Sequence, residues 1–195
     1  MTWVAAVWDA DATVIDGLGD GVEIRRATED QGFYANPAQF DVLVAGRSGH
    51  WPNALSVLGR RVWAWRVTEH APKIGTQPCA VAMVSLMRRN PSMDHAAFSR
   101  HWTENHAPLA LDRHVGLSDY HQYVVEETLT VETPEIDGIA VLGFVTRADF
   151  DDRFFDSDVG RAEIMDDVAR FMDRPGRETT LVGPETSTRP SGDAG

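Results

Sequence analysis

Residues 79–111 read CAVAMVSLMRRNPSMDHAAFSRHWTENHAPLAL, and this stretch decides the fold. Cys79 to Arg88 is an apolar run of strand length and predicts a buried strand. Pro91-Ser92 marks the turn after it, with Ser92 as the expected N-cap. Asp94 then falls in the first helical turn, where negative charge is favoured. Phe98, Trp102 and His106 follow Asp94 at steps of four, so they share one helical face. Pro108 is expected to end that helix or to sit just beyond it.

Working outward, Tyr120 to Glu127 alternates like a strand and Ile136 to Val145 predicts another. Arg147 to Met172 predicts a helix, broken near Gly160, with Phe150, Phe154, Ile164, Val168, Phe171 and Met172 on its apolar side. Pro175-Gly176 is expected to terminate it before a short strand over Glu178 to Val182. The order β-α-β-β-α-β is the split βαβ pattern. The first half repeats it in worn form: Trp3 to Trp8, a Gly-rich acidic turn from Asp9 to Gly21, Val22 to Ala27, Phe40 to Gly46, helical turns over Trp51 to Leu58, and Arg60 to Glu69. A four-stranded sheet with helices on one face leaves the other face bare, and two such sheets bury those faces together. The predicted fold class is therefore α+β: two ferredoxin-like βαββαβ halves in a single chain, their bare sheet faces buried against each other. Residues 1–70 form the degenerate half, 71–78 the linker, 79–185 the second half and 186–195 a disordered tail.

The 195 residues carry 18 Lys and Arg against 30 Asp and Glu, a net charge of -12. Nucleic acid and anionic membranes demand a positive surface, so neither is an expected partner. No apolar run reaches membrane-span length and no signal peptide is recognised, so a cytoplasmic location is expected. One cysteine, Cys79, excludes an internal disulfide framework and reads as a buried thiol. Gly17-Leu18-Gly19-Asp20-Gly21 lacks the following helix that a phosphate loop needs and reads as a turn.

The string from Ser85 to Ala110 resembles the EthD family. The family's strand ending in Lys or Arg, its Pro, its Phe-x-x-(Tyr/His)-Trp helix and its His-Ala-Pro are matched by Arg88, Pro91, Phe98, His101, Trp102, His106, Ala107 and Pro108. Gly116, Tyr120 and Gln122 continue the match, as do Asp137-Gly138-Ile139-Ala140, Asp156-Ser157 with Gly160-Arg161, and Asp166 to Asp173. Asp158-Val159 stands where the family often has Pro. The resemblance implies a dimeric α+β barrel, here expected as a single-chain, pseudo-dimeric α+β barrel built from the two halves. Relatives on that fold include cofactor-free monooxygenases of aromatic polyketides, cyclases, isomerases and decarboxylases or dehydratases, and the fold does not choose among them.

His106 is the first candidate for chemistry, as a general acid or base near the helix C-terminus, with a capping histidine as the bland alternative. Tyr120 and Gln122 share one face of their strand, and His121 and Tyr123 share the other. One pair should look into the inter-sheet pocket and the other toward the helices. The resemblance favours Tyr120 and Gln122 for the pocket, holding a substrate oxyanion. His101 lies about 140° from His106 on an α-helix, so the two should not share a ligand, and no metal site is expected. Trp102, His101, Trp63 and Trp65 are candidate walls for a flat aromatic ligand, against core packing as the alternative. Arg66, opposite Trp63 and Trp65, could meet an acidic substrate. The expected function is cofactor-free acid/base chemistry (cyclisation, dehydration or isomerisation) on a hydrophobic, aromatic or polyketide-like molecule. Cofactor-independent oxygenation, a non-catalytic binding role and haem binding through a histidine are the alternatives. Homodimerisation stays open.

Overall fold

The computed structural model describes residues 2–18, 21–32, 38–47, 55–173, 178–184 and 186–187. The first half contains β1 (Thr2–Ala10), α1 (Ala12–Asp16), β2 (Val22–Arg26), β3 (Val42–Arg47), a 3₁₀ turn (Leu55–Val57) and β4 (Gly59–Lys73). The second contains β5 (Val81–Arg89), a helix running through α2 (His95–Arg100), a π-helical turn (His101–His106) and α3 (Ala107–Arg113), then β6 (Asp119–Thr128) and β7 (Gly138–Phe144). It ends with α4 (Arg147–Asp152), α5 (Asp158–Phe171), β8 (Met172–Asp173), β9 (Thr179–Val182) and β10 (Thr186–Ser187).

Strand order repeats between the halves. In the first it is β2-β3-β1-β4, and in the second β6-β7-β5-β9. Antiparallel pairing of β4 with β6 joins the two sheets. The free edges meet as well: Ala27 bridges Val182, Gly183 N–H donates to the Arg26 carbonyl at 2.7 Å, and Thr28 N–H donates to Leu181 at 2.9 Å. β10 continues this pairing along β2. The strands thus form a closed ring, which removes the edges that an open sheet would expose.

Closure makes most strands apolar on both faces. Val4, Ala6, Leu43, Ala45, Trp65, Val67, Ala82, Val84, Leu86, Tyr123, Val125, Ile139 and Val141 fill the ring. Their sequence neighbours point outward, under the helices. Trp3, Ala5, Val7, Val22, Ile24, Val42 and Val44 pack below α1 and the 3₁₀ turn. Met83, Met87, Tyr120, Val124, Ala140, Leu142 and Phe144 pack below α2–α5.

Several local expectations are corrected. Asp94, not Ser92, caps α2, because its carboxylate accepts from Ala97 N–H at 2.7 Å. Pro108 lies inside the continuing helix; the preceding turn widens, with Ala107 N–H bonding the Trp102 carbonyl five residues back. The break in the last helical stretch falls at 153–157, where Ser157 caps α5, and Gly160 sits in its first turn. The first crossover holds a short helix capped by Asp11, within the stretch read as a turn from Asp9 to Gly21. β4 runs to Lys73, into the segment read as linker, and Thr186–Ser187 of the expected tail pair with β2. Gly19-Asp20, Trp51 to Ala54, Pro175-Gly176 and 188–195 lie outside the described residues. Among the described residues no helix is long and apolar enough to cross a membrane.

Candidate active site

A cavity of about 280 Å³ lies between the second-half sheet and its helices. All of its lining residues fall between Met83 and Thr179. This corrects the expected position between the two sheets, where the inward side chains fill the ring instead. Parity along β6 decides the matter. Tyr120 and Gln122 face the helices with Val124, whereas Tyr123 and Val125 face the ring interior. Tyr120 therefore lines a pocket, but the helix-side one.

The cavity is walled by Met83, Met87, Ala140, Leu142, Phe154, Ile164 and Phe171, with Trp102 fully buried beside them. The indole packs directly against β7 because position 138 is glycine. A Cβ there would come within 2.6 Å of Trp102 Cζ3. The polar groups on the wall are His106, His114, Tyr120, Arg161 and the Ser85–Thr179 hydroxyl pair at 2.9 Å.

The π-helical turn sets the first polar cluster. At i→i+5 spacing, residues five apart come into register. His106 Nδ1 bonds Asp167 Oδ2 at 2.9 Å, and His101 Nε2 bonds Asp167 Oδ1 at 2.9 Å. On α-helical spacing the two rings would stand about 140° apart; the widened turn instead brings both onto one carboxylate. The hydrogen bond from His106, reinforced by His101, holds the Asp167 carboxyl below its ordinary range despite burial. An ionised carboxylate only accepts, so both facing ring nitrogens carry protons. His106 is 9% exposed at its side chain and lines the cavity, so its Nε2 is left for a ligand. His101, 17% exposed, stands behind the carboxylate and does not line the cavity.

The second cluster is built on Tyr120. Its hydroxyl oxygen accepts from Trp102 Nε1 at 3.1 Å and from Gln122 Nε2 at 2.9 Å. Gln122 Nε2 also donates to the Trp102 carbonyl at 3.1 Å, the same carbonyl that the π turn presents. Gln122 is fully buried, its Oε1 has no partner among the described residues, and it does not line the cavity. Burial pushes the Tyr120 phenol up to about 12, so it stays protonated. With two bonds accepted, its own O–H finds no acceptor among the described residues and is a donor held for the cavity.

Other predicted binding residues lie elsewhere. Trp65 fills the ring, and Trp63 packs beside it with their centroids 6.5 Å apart. Arg66 is ion-paired with Glu127 on the neighbouring strand. None of the three lines the cavity.

Two site residues escaped the sequence reading. Asp167 had a signal: it sits on the buried stripe of α5 with Ile164 and Phe171, and a carboxylate on an apolar stripe needs a partner. His114 had none, since it follows the last turn of α3 and its role depends on Phe154, forty residues away. Among the described residues, no group of three His, Cys, Asp or Glu is arranged to hold a metal ion.

Residues 90–175 match the EthD domain, so the resemblance read from the sequence holds over that stretch. Two solved structures share the fold. One is an anthrone oxidase-like protein, 10% identical, TM-score 0.56, covering 95% of this chain and 92% of that one. The other is a "putative monooxygenase" from Lactobacillus acidophilus NCFM, 7% identical, TM-score 0.54, covering 95% of each chain. At such identities the likeness concerns the fold alone. No curated protein matches the sequence.

Proposed function

We propose that the protein is a cofactor-free enzyme that moves protons on a small, hydrophobic, oxygenated aromatic molecule. One observation carries this reading: the Asp167-held imidazole of His106 and the spare O–H of Tyr120 line the same apolar cavity. His106 Nε2 takes a proton from carbon next to a carbonyl, and Tyr120 donates to the enolate oxygen that forms. Cyclisation, dehydration and isomerisation of polyketide-like molecules all use that transfer. Size supports a small substrate. An enclosed cavity of about 150 Å³ accepts benzene, so about 280 Å³ suits roughly two fused rings. The repeated strand order supports reading 1–70 and 79–185 as fused halves, the first closing the barrel and the second carrying the site.

The probe is 2-tetralone, a two-ring ketone with an exchangeable benzylic position. Deuterium uptake there, followed by mass spectrometry, should exceed the buffer rate. His106→Ala should lower the enzymatic part by about 10²–10⁴-fold. Equal uptake in that variant removes His106 from the mechanism.

A second reading is oxygenation of the same enolate without a cofactor. It draws on the apolar lining, which shields a carbanion from water, and on the names of the two structures that share the fold. Oxygen uptake with the same probe separates it from proton transfer alone.

A further inference from the structure

We propose that His114 determines specificity at this site: its Nε2 is a fixed hydrogen-bond acceptor that selects a ligand hydroxyl and rejects a ligand carboxylate. The inference rests on the reading above, in that it assumes the cavity to be the substrate site.

His114 lines the cavity and is 4% exposed. Its Nδ1 lies 2.6 Å from the Phe154 carbonyl oxygen. A carbonyl only accepts, so Nδ1 carries the proton and the lone pair of the neutral ring sits on Nε2. The ring cannot swing away from this arrangement freely. It meets Phe154 edge-on at 4.6 Å and Phe155 at 5.1 Å between centroids. Burial, opposed by the Phe154 bond and aided by the nearby His106, pushes the imidazole down to about 4. At neutral pH the group is therefore a pure acceptor toward the cavity, and Nε2 makes no hydrogen bond among the described residues.

The wall then offers complementary roles. Tyr120 donates and His114 accepts, while the Ser85 and Thr179 hydroxyls are bonded to each other. A ligand that satisfies both Tyr120 and His114 carries a carbonyl and a hydroxyl on an apolar frame. A carboxylate set against His114 would face its lone pair among apolar side chains, with Asp167 already ionised behind His106 and the one cation of the wall, Arg161, out at the exposed rim.

Equilibrium binding, read by calorimetry without turnover, tests this. The titrants are 1-tetralone, its hydroxy isomers on the aromatic ring, the matching methoxy isomers and 1-naphthoate. At least one hydroxy isomer should bind about five- to tenfold more tightly than 1-tetralone, and its methoxy counterpart should lose that gain. The carboxylate should bind more weakly than 1-tetralone. In His114→Asn, whose amide can keep the bond to the Phe154 carbonyl, the hydroxyl gain should vanish while 1-tetralone binds within about twofold of wild type. A gain that survives in His114→Asn, a gain equalled by the methoxy isomer, no gain at all, or preferred binding of 1-naphthoate overturns the role of His114 and leaves the proton-transfer reading standing. If the variant does not fold, the hydroxy and methoxy comparison on the wild-type protein still decides. Failure of every titrant to bind wild type overturns the cavity reading itself, and this inference with it.

Discussion

His101 and His106 reach the two oxygens of one carboxylate although five residues separate them. An α-helix would point them apart. The π-helical turn brings them into line and leaves the Trp102 carbonyl open for Gln122 as well. One irregular turn thus aligns His106, the proposed general base, and secures the amide that supports Tyr120.

Replacing the shared carboxylate tests that alignment. In Asp167→Asn the amide cannot accept from both rings, so one histidine loses its partner or its tautomer. Deuterium uptake by 2-tetralone should fall by about 10²–10⁴-fold. Stability offers a second readout. Asp167 titrates below its ordinary value because of its histidine bonds, so its contribution is present above about pH 4 and disappears as pH falls through the lowered value. The variant should lose that share of acid sensitivity in a urea titration series.

Tyr120→Phe removes one acceptor for two buried donors, Trp102 Nε1 and Gln122 Nε2. Unfolding free energy should drop by about 1–3 kcal/mol. Affinity for ketones should fall as well, because the O–H facing the cavity is gone. Stability held at the wild-type value would show that those donors find other partners.

Gly138→Ala places a methyl group 2.6 Å from the Trp102 ring. Either the buried strand gives way or the indole is pushed toward the cavity that it lines. The expected loss is about 1–3 kcal/mol, with a shifted tryptophan signal in near-ultraviolet circular dichroism. An unchanged signal would mean that the ring rests elsewhere.

His121 predicts a pH effect at the seam between the halves. Its Nδ1 bonds Glu69 on β4 at 3.0 Å, and its Nε2 lies 3.1 Å from Asp119. Burial opposes its charge, yet the two carboxylates win and push it up to about 9. A raised value gives stability that is complete below the ordinary 6.5 and lost as pH rises through about 9. Urea midpoints should therefore decline from pH 6.5 to 9, and His121→Gln should flatten that decline. His114 acts in a different window: its lowered value costs stability between pH 6.5 and about 4 as pH falls.

The element order and the α+β class were legible in residues 79–182, and so were His106 and Tyr120 as candidates, both of which line the cavity. Strand length, two-sided apolar character and helical spacing are local properties, written directly into the order of side chains. Only tertiary structure decided where the cavity lies. A strand's alternation separates Tyr120 from His121, but the ring closed by Ala27 and Val182 determines which face lies inside. The partnership of His101 with His106 was equally hidden, because it depends on a widened turn and on Asp167, a carboxylate sixty-one residues away from His106. Periodicity ranks the residues along each element, whereas contacts between distant elements set their surroundings, and those contacts form only when the chain closes on itself.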